Sequence, residues 1–302
     1  MEPKLAPILV FVYNRPQHTS RLIESLVNCE LSEKSELFIF IDAPKKDYSA
    51  ELLEKNKEVK ELVRKINHFK KVTIFENKLN KGVDKSILDG VTQIINHHNK
   101  VIVLEDDLLV AKSFLKYFNW ALDVYERNEN IYSVNGFMFP INYPHKNVQL
   151  LPLSSAWGWG TWKNRWEKFH FDEANRNLIN NSPTLKTKFN LPGVDYASML
   201  ISNKECWDIN WYFHVFKNNG LNVFPSQSLI KNTGFDGSGV HCPDEELIQT
   251  FNHNTEVHLT KRTETDISFQ KVYYDYFERI DKMKQKSKGT LIKKIRNKIQ
   301  SK

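Results

Sequence analysis

The stretch "VIVLEDDLLVAKSFLKYF", Val101 to Phe118, decides how the chain is read. Val101 to Leu104 form an apolar run without polar alternation, the pattern of a strand covered on both faces. Three carboxylates, Glu105, Asp106 and Asp107, follow at once. The residues leave two explanations open. Acids ahead of "LLVAKSFLKYF" would complement a helix dipole. Alternatively, a turn after the strand brings two of the carboxylates towards one point, where they suit a hard cation, Mn²⁺ or Mg²⁺, that takes further oxygens from a phosphate.

Upstream, "LAPILVFVY", "ELFIFIDAP" and "KKVTIFENK" also read as strands. Between them lie a helix in "QHTSRLIESLVNC", with Leu22, Ile23, Leu26 and Val27 at helical spacing, and a charged helix over roughly 49–68. An amphipathic helix in "NKGVDKSILDGVTQIINHH" then leads into "KVIVL". Strands alternating with helices imply right-handed crossovers and a mostly parallel central sheet flanked by helices, an α/β fold. Ligands of such sheets collect outside the carboxyl ends of the strands, which puts Asn14, Arg15, Asp42 and Glu105–Asp107 along one rim. No G-x-G-x-x-G follows the first strand and no G-x-x-x-x-G-K-[ST] occurs, so dinucleotide and P-loop chemistry lose their main support.

With 302 residues, 40% of them hydrophobic, the chain can bury one sizeable core or one core plus a smaller subdomain. Its net charge of +7 is local: Lys282–Lys302 carry nine basic residues and no acid, leaving 34 basic against 36 acidic residues elsewhere. No nucleic-acid partner is expected from that balance. Within the tail, Leu291, Ile292, Ile295 and Ile299 recur at helical spacing among lysines, the pattern of a helix on an anionic membrane surface, where each basic residue contributes about 1 kcal/mol. A solvated, frayed terminus explains it as well. Cys29, Cys206 and Cys242 share no paired spacing, which favours a reducing, cytoplasmic compartment, peripheral on the inner face of a membrane if the tail binds one. The first apolar run is too short for a signal peptide.

In their order and spacing, "APILVFVYNRP", "LFIFIDAP", "NKGVDKSILDGV" and "VIVLEDDLLVAKSFLKYF" resemble nucleotide-sugar glycosyltransferases of the GT-A fold, in particular the N-acetylglucosaminyltransferase I group and bacterial family-2-like sugar transferases. The resemblance implies that Asp107, with Glu105, holds a divalent cation, most simply Mn²⁺, and that Asp106 faces the donor ribose. It implies nucleotide contacts for Arg15 and Asp42, the latter to a uracil N3–H, and a further donor contact for Lys85. "WGWGTW" is similar to the segment under the donor sugar, implicating Trp157, Gly158 and Trp159, although core packing also accounts for tryptophans there. "CWDINW" is similar to a W-D-D-W segment whose first acid is the catalytic base; the resemblance puts Asp208 in that place, with Ile209 instead of the second acid, although an aspartate there also suits a helix start or a buried hydrogen bond. The loop "TGFDGSGVHC" lies where the family has one that orders on donor binding, which makes Ser238 and His241 candidates for the diphosphate or metal, although a solvent-exposed glycine turn also explains its composition.

The implied architecture is a glycosyltransferase domain over 1–245, with a nucleotide-binding half (1–118) and a sugar and acceptor half (119–245). A C-terminal helical extension (246–280) and the basic amphipathic tail (281–302) follow. The implied activity is metal-dependent, inverting transfer of a sugar from a nucleotide-sugar donor such as UDP-GlcNAc to a hydroxyl of a glycan or lipid-linked saccharide. A nucleotidyltransferase acting on a sugar phosphate and a non-catalytic carbohydrate-binding protein are the alternatives.

Overall fold

The structure, a computed structural model, describes residues 4–144, 147–237 and 249–300, with side chains of the final helix described as far as Lys286. The strands are β1 (Ile8–Val12), β2 (Glu36–Ile41), β3 (Lys71–Glu76), β4 (Lys100–Glu105), β5 (Leu108–Val110), β6 (Ile131–Asn135), β7 (Gln149–Leu151), β8 (Trp159–Trp162), β9 (Leu221–Phe224) and β10 (Ile230–Asn232). The helices interleaved with the first four are α1 (Pro16–Val27), α2 (Ala50–Val63) and α3 (Gly82–His98), followed by α4 (Phe114–Val124) and α5 (Lys163–Trp166). Then come α6 (Glu173–Asn180), α7 (Pro183–Phe189), α8 (Tyr196–Ser202), α9 (Trp207–Lys217) and α10 (Ile267–Gln300).

Eight strands form one sheet in the order β3-β2-β1-β4-β8-β6-β9-β7, and β5 and β10 form a separate antiparallel ribbon. The first four are mutually parallel, as the alternating pattern implies. β8 runs antiparallel to both β4 and β6, which makes the sheet mixed beyond that point. Successive side chains of β1 divide between two apolar cores. Ile8, Val10 and Val12 pack with Leu22, Leu26, Val59 and Val63 of α1 and α2, while Leu9 and Phe11 pack with Phe40, Ile87, Val91 and Ile94 on the opposite side. The edge strand β3 ends in the exposed charges Lys71 and Glu76, which discourage pairing with another chain.

The chain divides into two compact units, one of Met1–Phe171 with Glu205–Thr265 and the other of Asp172–Lys204 with Asp266–Lys302. The first holds the sheet and both cores. The second is helical, with α6, α7 and α8 started by Asp172, Ser182 and Asp195, whose side chains accept from Ala174 N, Leu185 N and Ser198 N. These divisions differ from the sequential arrangement read from the sequence: helix begins only at Ile267, and 249–265 carries none. Among the described residues no helix is long and apolar enough to cross a membrane.

Candidate active site at the carboxyl ends of the parallel strands

β1 and β4 pair with Phe11 opposite Glu105, so the loop after β1 lies beside the turn that follows β4. Pro16 opens α1 with its fixed φ, and Arg15 occupies the cap position just before it. From there Arg15 Nη2 donates to Asp106 Oδ1 and, at 3.1 Å, to Asp107 Oδ2. The three side chains are 18%, 4% and 12% exposed. Burial would lower the Arg15 pKa, but the two carboxylate charges and their hydrogen bonds outweigh it and raise it. Burial pushes the Asp106 carboxyl up despite the guanidinium. Glu105 is pushed well up by burial first, then by Asp107, Asp106 and Asp208. Among the described residues, Arg15 Nη1 and Asp106 Oδ2 are buried without a hydrogen-bond partner.

The acidic corner is not a helix cap. Leu108–Val110 form β5, paired to Ile230–Asn232, and α4 starts only at Phe114 with Ser113 at its cap and no acid in its first turn. Pairing with β10 instead delivers the next segment onto the corner. Thr233 donates from its N and its Oγ1 to the Asp107 backbone oxygen, each at 2.8 Å. Gly234 lies against the Asp107 carboxylate so closely that a Cβ there would stand 2.5 Å from Oδ2. His18, on the buried face of α1, reaches Asp236 Oδ2 at 3.2 Å and so holds the same loop from the other side.

Asp42 leaves β2 on this rim, 8% exposed, and its carboxylate is engaged by its own chain. Oδ1 accepts from Ala43 N, Asn77 Nδ2 and Lys81 N, each at 3.0 Å. Oδ2 accepts from Asn80 Nδ2 at 3.1 Å, Lys81 N at 3.1 Å and Gly82 N at 2.9 Å. A carboxylate has about four lone-pair sites. A uracil N3–H would therefore have to displace one of these donors. In this geometry Asp42 ties the end of β2 to the start of α3.

Asp208 stands in the first turn of α9, half-buried, where the helix dipole favours a carboxylate. Its Oδ1 accepts from Cys206 Sγ at 2.9 Å and Ile209 N at 2.6 Å. Asp84, in the first turn of α3, accepts from Trp207 N at 2.8 Å and so joins the two helix starts. Asp208 adds to the field at Glu105, placing it in the same electrostatic neighbourhood as the corner.

Of the tryptophans, Trp157 is half-buried and meets Phe137 and Phe235 edge-on at 4.6 and 5.7 Å, next to the loop over Asp107. Trp159 is 2% exposed and stacks on Trp207 at 4.8 Å, which leaves it no face for a sugar. Gly158 between them adopts φ +61° with Ile230 and Leu104 close beneath it, a position a side chain would not fit. Lys85 is 67% exposed, its Nζ 3.9 Å from Asp89. Ser238 and His241 lie outside the described residues. The sequence reading passes over His18, Asp84, Cys206 and Gly234. All four lie inside quoted segments, His18 in "QHTSRLIESLVNC", Asp84 in "NKGVDKSILDGV", Cys206 heading "CWDINW" and Gly234 in the glycine-rich loop, but nothing in those segments marks them out from their neighbours.

Among the described residues no three acidic, histidine or cysteine side chains converge as a self-sufficient metal cage. The donor set instead suits a hard cation held by one or two protein carboxylates and completed by water and phosphate oxygens. Arg15 pairs with Asp106 and Asp107, Glu105 and Asp208 act in the same field, and among the described residues Asp106 Oδ2 is an acceptor without a partner. Glu105 and Asp107 are the residues available to such a cation.

No protein-family model matches the chain, and no curated protein does. Solved structures align with part of it. The mannosyltransferase PcManGT from Pyrobaculum calidifontis, in complex with GDP-Man and Mn²⁺, aligns over 68% of this chain and 56% of its own, at 12% identity and TM-score 0.37. S. aureus TarS 1-349 aligns over 76% of this chain and 61% of its own, at 14% identity and TM-score 0.41. The complex of TarS 1-349 with UDP-GlcNAc aligns over 74% and 57%, at 13% identity and TM-score 0.40. The chain spans about three fifths of the length of these structures.

Proposed function

We propose that this chain is a metal-dependent, inverting glycosyltransferase that moves a sugar from a nucleotide-sugar donor, a UDP-sugar in the first instance, to a hydroxyl of a glycan or lipid-linked saccharide. The observation that carries this reading is the acidic corner itself: Asp106 and Asp107 clamped by Arg15 at the carboxyl ends of parallel strands, with Asp208 presented from a helix start in the same field.

The donor diphosphate lies at the rim, with Arg15 and the loop Thr233–Gly237 beside it and Trp157 on the sugar side. A divalent cation bound through Asp107 and Glu105 supplies charge stabilisation for the departing diphosphate. Asp208 Oδ2 takes the proton of the acceptor hydroxyl as its oxygen bonds to sugar C1, and the electron pair of the C1–O bond leaves with the nucleotide. One base opposite the leaving group gives inversion. The basic tail, carried on α10, holds the enzyme at an anionic membrane surface where a lipid-linked acceptor is found.

Isothermal titration with UDP and with GDP, each with Mn²⁺ or with EDTA, tests the reading. Metal-dependent binding that Asp107→Ala loses by at least about tenfold, or about 1.4 kcal/mol, supports it. Absence of binding by either nucleotide under both conditions removes it.

A further inference from the structure

We propose that Cys206 is a positioning residue for the base: its thiol fixes Asp208 Oδ1 so that Oδ2 alone is presented for proton transfer. The inference deepens the proposed function and rests on its assignment of Asp208 as the base.

Two donors converge on one oxygen, Cys206 Sγ at 2.9 Å and Ile209 N at 2.6 Å, and no described residue bonds the other. Without them a carboxylate rotates about its Cβ–Cγ bond and its two oxygens exchange. The frame that holds the thiol is itself fixed. Cys206 is the cap residue of α9, Trp207 N is held by Asp84 Oδ1 at 2.8 Å, and the Trp207 ring is stacked on buried Trp159. Burial, then the charge of Asp208, pushes the thiol above its usual range, which favours the protonated form that donates to Asp208.

The choice of sulfur has a chemical consequence. A hydroxyl or backbone N–H is a strong donor, and each one given to a carboxylate stabilises the anion and weakens it as a base. A thiol is a weak donor. It orients the oxygen while taking away less of the basicity that proton removal needs. Among the described residues, the charge of Asp208 acts on Cys206 of its own segment and on Glu105 of β4, and Asp84 of α3 acts on Cys206 as well.

The test needs no sugar. In protein labelled at aspartate ¹³Cγ, with the Asp208 signal assigned by its absence in Asp208→Asn, the titration midpoint is expected to rise by about one pH unit in Cys206→Ala. It is expected to fall below wild type in Cys206→Ser, because the hydroxyl is the stronger donor. Equal midpoints in the three proteins overturn the inference. Should the alanine variant fail to fold, the infrared S–H band of Cys206 in wild type is compared with that in Asp208→Asn. A shift to higher frequency in the variant supports the bond, and an unmoved band refutes it. Hydrolysis of UDP-GlcNAc with Mn²⁺ then separates this inference from the functional reading. A fall in kcat with unchanged KM in Cys206→Ala, recovered in part by serine, supports positioning. Absence of turnover and of nucleotide binding in wild type removes the functional reading, and with it Asp208's role as base, while the spectroscopic bond is judged separately.

Discussion

Replacing Asp42 with Asn keeps the shape of the side chain and changes what it can accept. In wild type five N–H groups converge on the two oxygens at 2.9–3.1 Å. An Asn has one oxygen and one NH₂, so whichever way it turns, at least two donors face another donor. Hydrogen bonds to a charged group contribute about 1.5–3 kcal/mol each, and those that survive lose their charge assistance. Some donors can find water because the loop from Asn77 to Lys81 is only partly buried, so the expected loss is about 3–5 kcal/mol. That is a large part of an ordinary domain stability of about 5–15 kcal/mol. Urea unfolding followed by tryptophan fluorescence should show the midpoint falling by about 1 M or more, given a slope near 3 kcal/mol/M. Hydrogen exchange at the Lys81 and Gly82 amides should accelerate before the rest of α3. A variant within about 1 kcal/mol of wild type that has lost only its affinity for UDP would refute this reasoning and return Asp42 to the nucleobase.

Gly234→Ala puts a Cβ 2.5 Å from Asp107 Oδ2, so the carboxylate must leave its place on Arg15. Metal-dependent UDP binding should weaken by about tenfold or more while thermal stability changes little; unchanged affinity by titration calorimetry would show that the corner yields freely. His214 is buried among Trp211, Tyr132 and Phe169, its Nε2 without a partner among the described residues, and burial lowers its pKa to about 4. The unfolded chain therefore binds this proton first as pH falls through about 6.5, and the associated stability is lost progressively down to about pH 4. Discounted for partial solvent access, the loss between pH 7 and pH 5 is about 1–2 kcal/mol, and His214→Phe should flatten that part of the stability profile; an equal slope in the variant excludes the histidine as its source.

The parallel half of the sheet was readable because strands buried on both faces need unbroken apolar runs, and β1, β2 and β4 have them. The rim follows from topology alone, because the carboxyl ends of adjacent parallel strands lie side by side, and this puts Arg15 beside the acidic corner. "LLVAKSFLKYF" was less readable. Three apolar residues fit a helix as well as a ribbon strand, and only pairing to Ile230–Asn232 decides between them. Asp42 shows a different limit. An aspartate at a strand end looks the same in sequence whether its hydrogen bonds come from a ligand or from its own loop, because the donors here are backbone amides, which no residue type reveals. The core role of Trp159 and the link from Asp84 to α9 likewise depend on which helices the sheet brings side by side.

The ribbon of β5 and β10 sets an order of events during synthesis. Arg15 is made 92 residues before Asp107, one of the two carboxylates its guanidinium engages. Thr233 follows Asp107 by 126 residues, an interval of roughly 6–25 s at about 5–20 residues per second. Until that segment arrives, the rim has its strands and its charges but not the loop that seats Asp107. On the proposed function, metal-dependent nucleotide binding begins only once that segment has arrived, and its onset during refolding or translation would report the closing of the contact between Thr233 and Asp107.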